Sequence, residues 1–345
     1  MFRRLNAACG AQALLALVPL ALLVLSACRP AAPGPAAPAE ADRPEAATVR
    51  IARQPGLSYL PLIVMRELRL LEKRAPNVIV EWHELTSGAA IRDAIIAGQL
   101  DIGSGGVAPF LQGYDKGVRW KTTGAMNNMP LYLVVNRPEI RTIADIKPEH
   151  KVALPAPGSI QHVTLQMAAE QELGDPKALE NNIVAMGHPD AEAALLSRKE
   201  IVGHFGSPPF QYDELEKGGQ DFHVVVNSFK VLGGPHTFNL VWIVEDWASK
   251  NPRLFQAFVE AQQEATELIN RDPAQAAGLY VQGEKSNLGV DEILKQIKSE
   301  GIEFTMTPRG LITYAEFMKR TGAIKNVPSS WREYAFPHLQ ALDGS

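Results

Sequence analysis

Six short loops hold most of the polar side chains that could meet a ligand: Gln54 to Tyr59, Thr86-Ser87-Gly88, Ser104-Gly105-Gly106, Asn127-Asn128, Gly158-Ser159-Ile160-Gln161 and His204 to Ser207. They offer amides, hydroxyls and backbone N–H groups and few nucleophiles or general bases. Each follows a segment with strand character, and several open a helix. At the carboxyl ends of strands in an open sheet, helix N-termini present unpaired N–H groups and a partial positive charge. Non-catalytic capture of a small polar or anionic molecule is the chemistry such loops perform. The candidate contacts are Gln54, Ser58, Tyr59, Ser87, Gly88, Ser104, Asn127, Ser159, Gln161 and His204.

Enzyme signatures fail one by one. Gly103-Ser104-Gly105-Gly106-Val107-Ala108 fits a loose dinucleotide pattern, but no acidic residue lies near the place ~20 residues on that would bind ribose. Ser87, Ser104, Ser159 and Ser207 lack the flanking glycines of a nucleophile elbow. His83-Glu84 has no second His to complete a zinc helix, so neither a metal nor a cofactor is expected.

The N-terminus points outside the cytoplasm. Met1-Phe2-Arg3-Arg4 is basic, and Ala13 to Leu25 is an apolar stretch well short of the ~20 residues a spanning helix needs. Residues 1–27 are therefore expected to be a signal peptide. Removing them leaves 32 basic against 38 acidic residues, a formal charge of −6, which argues against nucleic acid as a partner. Cys9 leaves with that segment and only Cys28 remains, so neither a disulfide nor a thiolate nucleophile is expected. Residues 29 to 47 are dominated by Ala and Pro and lack large apolar side chains, as a semi-stiff spacer would.

About 300 residues follow, more than the ~100 to 150 of a usual single core, so two lobes are expected. Strands at Val49–Ala52, Val78–Trp82, Leu100–Ile102 and Lys121–Ala125 alternate with helices at Leu60–Leu71 and Ala89–Ala97. A second set comprises strands at Leu131–Val135, Lys151–Leu154, Ile183–Met186, Ile201–Gly203 and His223–Val226, with helices at Ile160–Leu173 and Ala191–Leu196. After a strand at Thr237–Val244 the chain is mostly helical: Pro252–Asn270, Pro273–Val281, Asp291–Ser299 and Leu311–Arg320. This alternation predicts α/β lobes with mostly parallel sheets flanked by helices. A helix-turn-strand unit also recurs at an offset of one hundred residues, Ala94 to Ser104 against Ala194 to His204. If the repeat is structural, Ser104 and His204 occupy equivalent strand ends and face each other across a cleft.

Leu25-Ser26-Ala27-Cys28 resembles the lipobox of bacterial lipoproteins, with Cys28 the acylated first residue of the mature chain. From about Val49 to Leu342 the chain resembles the substrate-binding proteins of ABC importers, specifically the sulfonate, nitrate and taurine binding family that also includes binders of thiamine pyrimidine precursors. The resemblance rests on Ile51 through Gly56 with Pro61, Ser87-Gly88 through Ile102-Gly103, Pro155 through Ser159, Pro208-Pro209 and Asn251-Pro252.

It implies a two-lobed, type II periplasmic-binding-protein-like fold, with the ligand cleft between the lobes. Lobe 1 would be 48–129 plus 237–345 and lobe 2 would be 130–236, with 28–47 the lipidated tether. It further implies a monomeric binding lipoprotein on the extracytoplasmic side of the bacterial envelope. Such a protein would deliver a small organic acid, sulfonate or related nutrient to a membrane permease and its ATPase. Arg53 is the one guanidinium near these loops, whereas Tyr59, Phe110, Phe205, Phe210, Phe238 and Trp242 could supply aromatic walls. The rival readings are an extracytoplasmic enzyme using His204 with His162 or His236, a pyrimidine-precursor-type binder, and a ligand-sensing module.

Overall fold

The computed structural model describes residues 45–345; Cys28, the expected signal peptide and the tether through Pro44 lie outside them. The strands are β1 (Thr48–Arg53), β2 (Ile79–Glu84), β3 (Ile102–Gly106), β4 (Trp120–Ala125), β5 (Tyr132–Val135), β6 (Val152–Leu154), β7 (Ile183–Ala185), β8 (Gly203–Phe205), β9 (His223–Asn227) and β10 (Asn239–Val244). Between β1 and β9 lie helices α1 (Leu60–Glu67), α2 (Leu70–Arg74), α3 (Gly88–Ile96), α4 (Val107–Asp115), α5 (Ile160–Leu173), α6 (His188–Ser197) and α7 (Phe210–Gly218). Then come α8 (Ser228–Leu232), α9 (Glu245–Lys250), α10 (Pro252–Arg271), α11 (Pro273–Glu284), α12 (Val290–Ile297) and α13 (Leu311–Arg320).

The strands form two five-stranded sheets, ordered β2-β1-β3-β10-β4 and β7-β6-β8-β5-β9. These are two α/β domains, with sheets that are mixed where mostly parallel ones were expected. β1 runs parallel to β2 and β3, and β6 parallel to β7 and β8. β10 is antiparallel to β3 and β4, as β5 is to β8 and β9. The reversed strands are the ones that enter each sheet straight after the chain crosses from the other domain. Position by position the two orders match, and β3 and β8 hold the same central place. The hundred-residue repeat is thus a repeat of sheet topology.

The Gly-rich stretch after Ile102 is strand where a loop was expected. β10 pairs along it from Ile243 opposite Ile102 to Asn239 opposite Gly106. Glycine is required at 103 because a Cβ there would lie 2.2 Å from Trp242 Nε1. The Trp242 ring belongs to a buried aromatic cluster: Phe110 lies 5.8 Å from both Trp120 and Trp242. Burying each such ring contributes roughly 1.5–3 kcal/mol, which anchors β3 and the start of α4. The expected helix over Leu60–Leu71 breaks at Arg69, whose φ of 52° is left-handed. The last residues assigned to the tether are held: Glu45 Oε1 and Oε2 accept from the N–H groups of Arg253 and Leu254, each at 2.9 Å. This carboxylate satisfies donors at the N-terminus of α10 that Pro252 leaves open.

The two crossings run side by side. Phe238 N donates to Asn127 O at 3.3 Å, and Leu131 and Ser228 exchange hydrogen bonds at 2.8 and 2.9 Å. Adjacent crossings of this kind make a hinge that permits closure without breaking either sheet. The domains are closed on each other. Leu57 N donates to Pro208 O at 3.0 Å, and Thr164 Oγ1 lies 3.0 Å from Tyr314 Oη.

Candidate functional site

Between the sheets lies a cavity of about 10 Å³, lined by Gln54, Gly88, Gly106, Pro109 and Phe238 from the first domain and Pro155, Ser159, Ile160 and Gln161 from the second. Its volume matches about one water molecule. Two larger spaces lie along the interdomain crevice, the first sharing Gln54 with the small cavity and the second sharing Pro55 and Pro189 with the first. One of about 160 Å³ is bounded by Gln54, Glu84 and Thr86 opposite His188 and Asp190. The other, of about 270 Å³, is bounded by Tyr280 and Glu284 opposite Glu192, Phe210 and Asp213.

Two helices from different domains start at the small cavity. Ser87 caps α3, its Oγ accepting from Ala90 N at 3.2 Å, and Ser159 caps α5 by accepting from His162 N at 3.2 Å. The N–H groups of Gly88 and Ala89, and of Ile160 and Gln161, have no intrahelical acceptor because they open their helices. Both dipoles aim positive ends at one space, an arrangement that favours an anion. The glycines allow the approach. A Cβ on Gly88 would lie 3.0 Å from Pro109, and one on Gly106 would lie 2.8 Å from Ile160 Cγ2 across the domain boundary.

Of the ten candidate contacts, Gln54, Gly88, Ser159 and Gln161 line this cavity. Ser58, Tyr59 and Asn127 stand behind it as supports. The Tyr59 hydroxyl accepts from Gln54 Nε2, and burial pushes its phenol up, keeping it neutral. Asn127 Nδ2 donates to Ser58 O at 2.6 Å, and Asn239 Nδ2 donates to Ser58 Oγ at 2.8 Å. Ser87 serves as the cap. Ser104 and His204 do not confront each other across the cleft. Ser104 Oγ donates to Ala52 O at 2.6 Å inside the first domain, and His204 pairs with His188 and Glu214 inside the second. Both side chains are fully buried, because the middle residue of a central strand points into its own domain.

The nearest guanidiniums are already committed. Arg53 is 4% exposed; it donates to Gln54 O at 3.1 Å and pairs with Glu284 at 2.6 Å and Glu84 at 2.9 Å. Arg92 donates to Gln112 Oε1 at 2.5 Å and pairs with Asp93. An anion here therefore relies on backbone N–H groups. Among the aromatic candidates only Phe238 reaches the small cavity. Phe210 stacks on His188 with centroids 5.5 Å apart, while Tyr59, Phe110, Phe205 and Trp242 are core.

Sequence reasoning missed Pro109 at the cavity, where Gly106 had stood only within a candidate loop and Phe238 only among the aromatic walls, and it missed His188 and Glu214 behind it. His188 had one usable signal, since it stands at the hundred-residue offset from Gly88 and likewise opens a helix. The histidine pairings of the enzyme reading are not brought together. His162 lies 3.0 Å from Glu180, and His236 lies 2.8 Å from Ser228 Oγ and 3.0 Å from Thr237 O. Among the described residues no cluster of three His, Cys, Asp or Glu could hold a metal ion, and no helix is long and apolar enough to cross a membrane.

Comparison with known proteins agrees with this geometry. The chain is 33% identical over 131 residues to an Escherichia coli (strain K12) protein whose name describes it as aliphatic sulfonates-binding. That match covers 37% of this chain and 39% of the relative, so the chain spans about two-fifths of the length of the curated protein it matches. The alkanesulfonate-binding protein SsuA of Xanthomonas axonopodis pv. citri, solved with MOPS bound, superposes with a TM-score of 0.66 at 20% identity. That superposition covers 82% of this chain and 96% of SsuA. The periplasmic nitrate-binding protein NrtA of Synechocystis PCC 6803 gives 0.66 at 14% identity, covering 83% and 84% of the two chains. These likenesses establish the fold as that of periplasmic binding proteins. The model of the NMT1-like family matches residues 42–280, well over half of the sequence, and the chain belongs to that family.

Proposed function

We propose that the chain is the solute-binding component of an ABC importer, held at the bacterial envelope by an acyl chain on Cys28, and that it closes around the acid group of a small organic acid, sulfonate or related nutrient. One observation carries the reading: the N-termini of α3 and α5, from opposite domains, meet at the same cavity. An anion there gains from both dipoles only when the domains are closed, so ligand and closure stabilise each other. The relatives named for aliphatic sulfonates, alkanesulfonate and nitrate share an anionic ligand, which supports the same class. The domains would be 48–129 with 237–345 and 130–236, and a monomer suffices because both halves of the site belong to one chain. No catalytic step is proposed, since the cavity holds amides, a hydroxyl and backbone donors.

Protein carrying Cys28→Ala, titrated by calorimetry against short alkanesulfonates, taurine, nitrate and small mono- and dicarboxylates, should bind at least one saturably. Small-angle scattering should then show compaction. Absence of saturable binding across the panel would overturn the reading.

A further inference from the structure

Helix α5 of the second domain packs against α13 of the first across the domain boundary. Thr164 Oγ1 lies 3.0 Å from Tyr314 Oη, and six residues further along both helices Arg320 Nη1 donates to Glu170 Oε1. The two helices therefore run parallel. Six helical residues rise about 9 Å, so α13 holds α5 at two well-separated points along its axis.

A backbone carbonyl, which can only accept, fixes the direction of the first contact. Thr164 Oγ1 donates its one hydrogen to Ile160 O at 2.8 Å, one turn earlier in α5, so the Tyr314 hydroxyl is the donor to Thr164. Burial pushes the Tyr314 phenol up, which keeps that proton in place. The ring is held as well. It stands edge-on to His236 in the second crossing between the domains, with centroids 5.4 Å apart and planes at 78°. Ile160, at the far end of this line, opens α5 at the small cavity and meets Gly106 across the boundary.

A rigid helix held at two points can neither tilt nor slide. α5 begins four residues, about 6 Å, before Thr164, so with both contacts made its first turn stands at the small cavity opposite α3. Carrying that turn away from α3 tilts or shifts α5 against α13 and separates both pairs. We infer that Tyr314 and Arg320 form a two-point clasp on α5 that is made only when the domains are closed, so that residues touching no ligand set the affinity for it. This deepens the proposed binding reading and rests on it for the ligand. Both are positioning residues, and neither lines the small cavity or the two larger spaces of the crevice. The buried contact carries the greater share, because the side chains of Arg320 and Glu170 are 57% and 34% exposed and water screens their attraction.

The test separates the clasp from the ligand. Tyr314→Phe keeps the ring and strands no donor, since the Thr164 hydrogen stays on Ile160 O. It should weaken binding of ethanesulfonate, read by calorimetry, by roughly two- to tenfold, the worth of one neutral hydrogen bond. Arg320→Glu and Glu170→Arg should each weaken it by up to about fivefold at low salt, and the double reversal should recover most of that loss. Without ligand, in protein carrying Cys28→Ala, spin labels on Gln99→Cys and Lys199→Cys, exposed positions in the first and second domains, report closure by their separation. Tyr314→Phe should deplete the closed component of that distance distribution. Unchanged affinity for a bound probe, label distances that do not shift, or a double reversal that binds no better than its single parents would overturn the clasp. Failure of the wild type to bind ethanesulfonate while the distances shift would count against the ligand class and leave the clasp standing.

Discussion

Gly106→Leu is expected to weaken ligand binding by roughly five- to 150-fold while leaving the melting temperature of the ligand-free protein nearly unchanged. The three atoms nearest a Cβ at this position all belong to Ile160, at 2.8, 2.9 and 3.6 Å, and Ile160 lies in the opposite domain. The backbone tolerates a side chain, since Gly106 has φ −59° and ψ 154°. The added bulk therefore strains the closed arrangement alone. Overpacking a fitted contact costs about 1–3 kcal/mol, which gives the stated range when the whole cost falls on closure. Calorimetry reads the affinity, and small-angle scattering should show that ligand no longer compacts the variant. Unchanged affinity and compaction would mean that Gly106 and Ile160 do not meet in the state that holds ligand.

Arg53→Met is expected to do the reverse, lowering stability by about 3 kcal/mol, near the bottom of the range for breaking a buried ion pair. Glu284, whose side chain is 9% exposed, keeps only Arg66 at 3.5 Å when Arg53 is removed, while Glu84 is 54% exposed and returns to water. At about 2 °C per kcal/mol for a chain of this size, the melting temperature should fall by roughly 6 °C. Affinity should fall less than about tenfold, through the lost bond to Gln54 O, which is neutral on the acceptor side. Arg53→Lys should recover only part of the stability, because an ammonium cannot reproduce the fork that reaches Glu84, Glu284 and the Gln54 carbonyl together. Complete loss of binding at unchanged stability would instead make Arg53 the ligand's own counter-charge.

How far the sequence revealed this molecule follows from the range of the interactions involved. Ile160–Leu173 was legible to the residue because Ser159 caps it and Gly174, with φ 75°, ends it, both local signals. Gly103 to Gly106 misled because glycines without long-range context signal a loop. Their strand conformation comes from β10, more than 130 residues away, and from the Trp242 ring that fills their missing side chains. β8 was placed two residues early because Ile201 and Val202 are apolar, yet pairing with β5 and β6 begins at Gly203. The reversed strands were invisible for a related reason: strand direction is set by where the chain crosses between domains, and apolar pattern does not record it.

The site divides along the same line. Gln54, Gly88, Ser159 and Gln161 were recoverable because helix starts after strands have local signatures. Ser104 and His204 were correctly matched as equivalent positions and wrongly aimed, since period and offset fix a strand position without fixing which interior the side chain enters. The partners of His204 come from α6 and α7, and only tertiary packing brings His188 and Glu214 to it.

The most direct test of the proposed function is a crystal structure of the protein with a calorimetrically verified ligand bound. The acid oxygens should lie about 2.7–3.2 Å from the backbone nitrogens of Gly88 or Ala89 in one domain and of Ile160 or Gln161 in the other. An acid group held by side-chain cations instead, or lodged outside the space between α3 and α5, would contradict it.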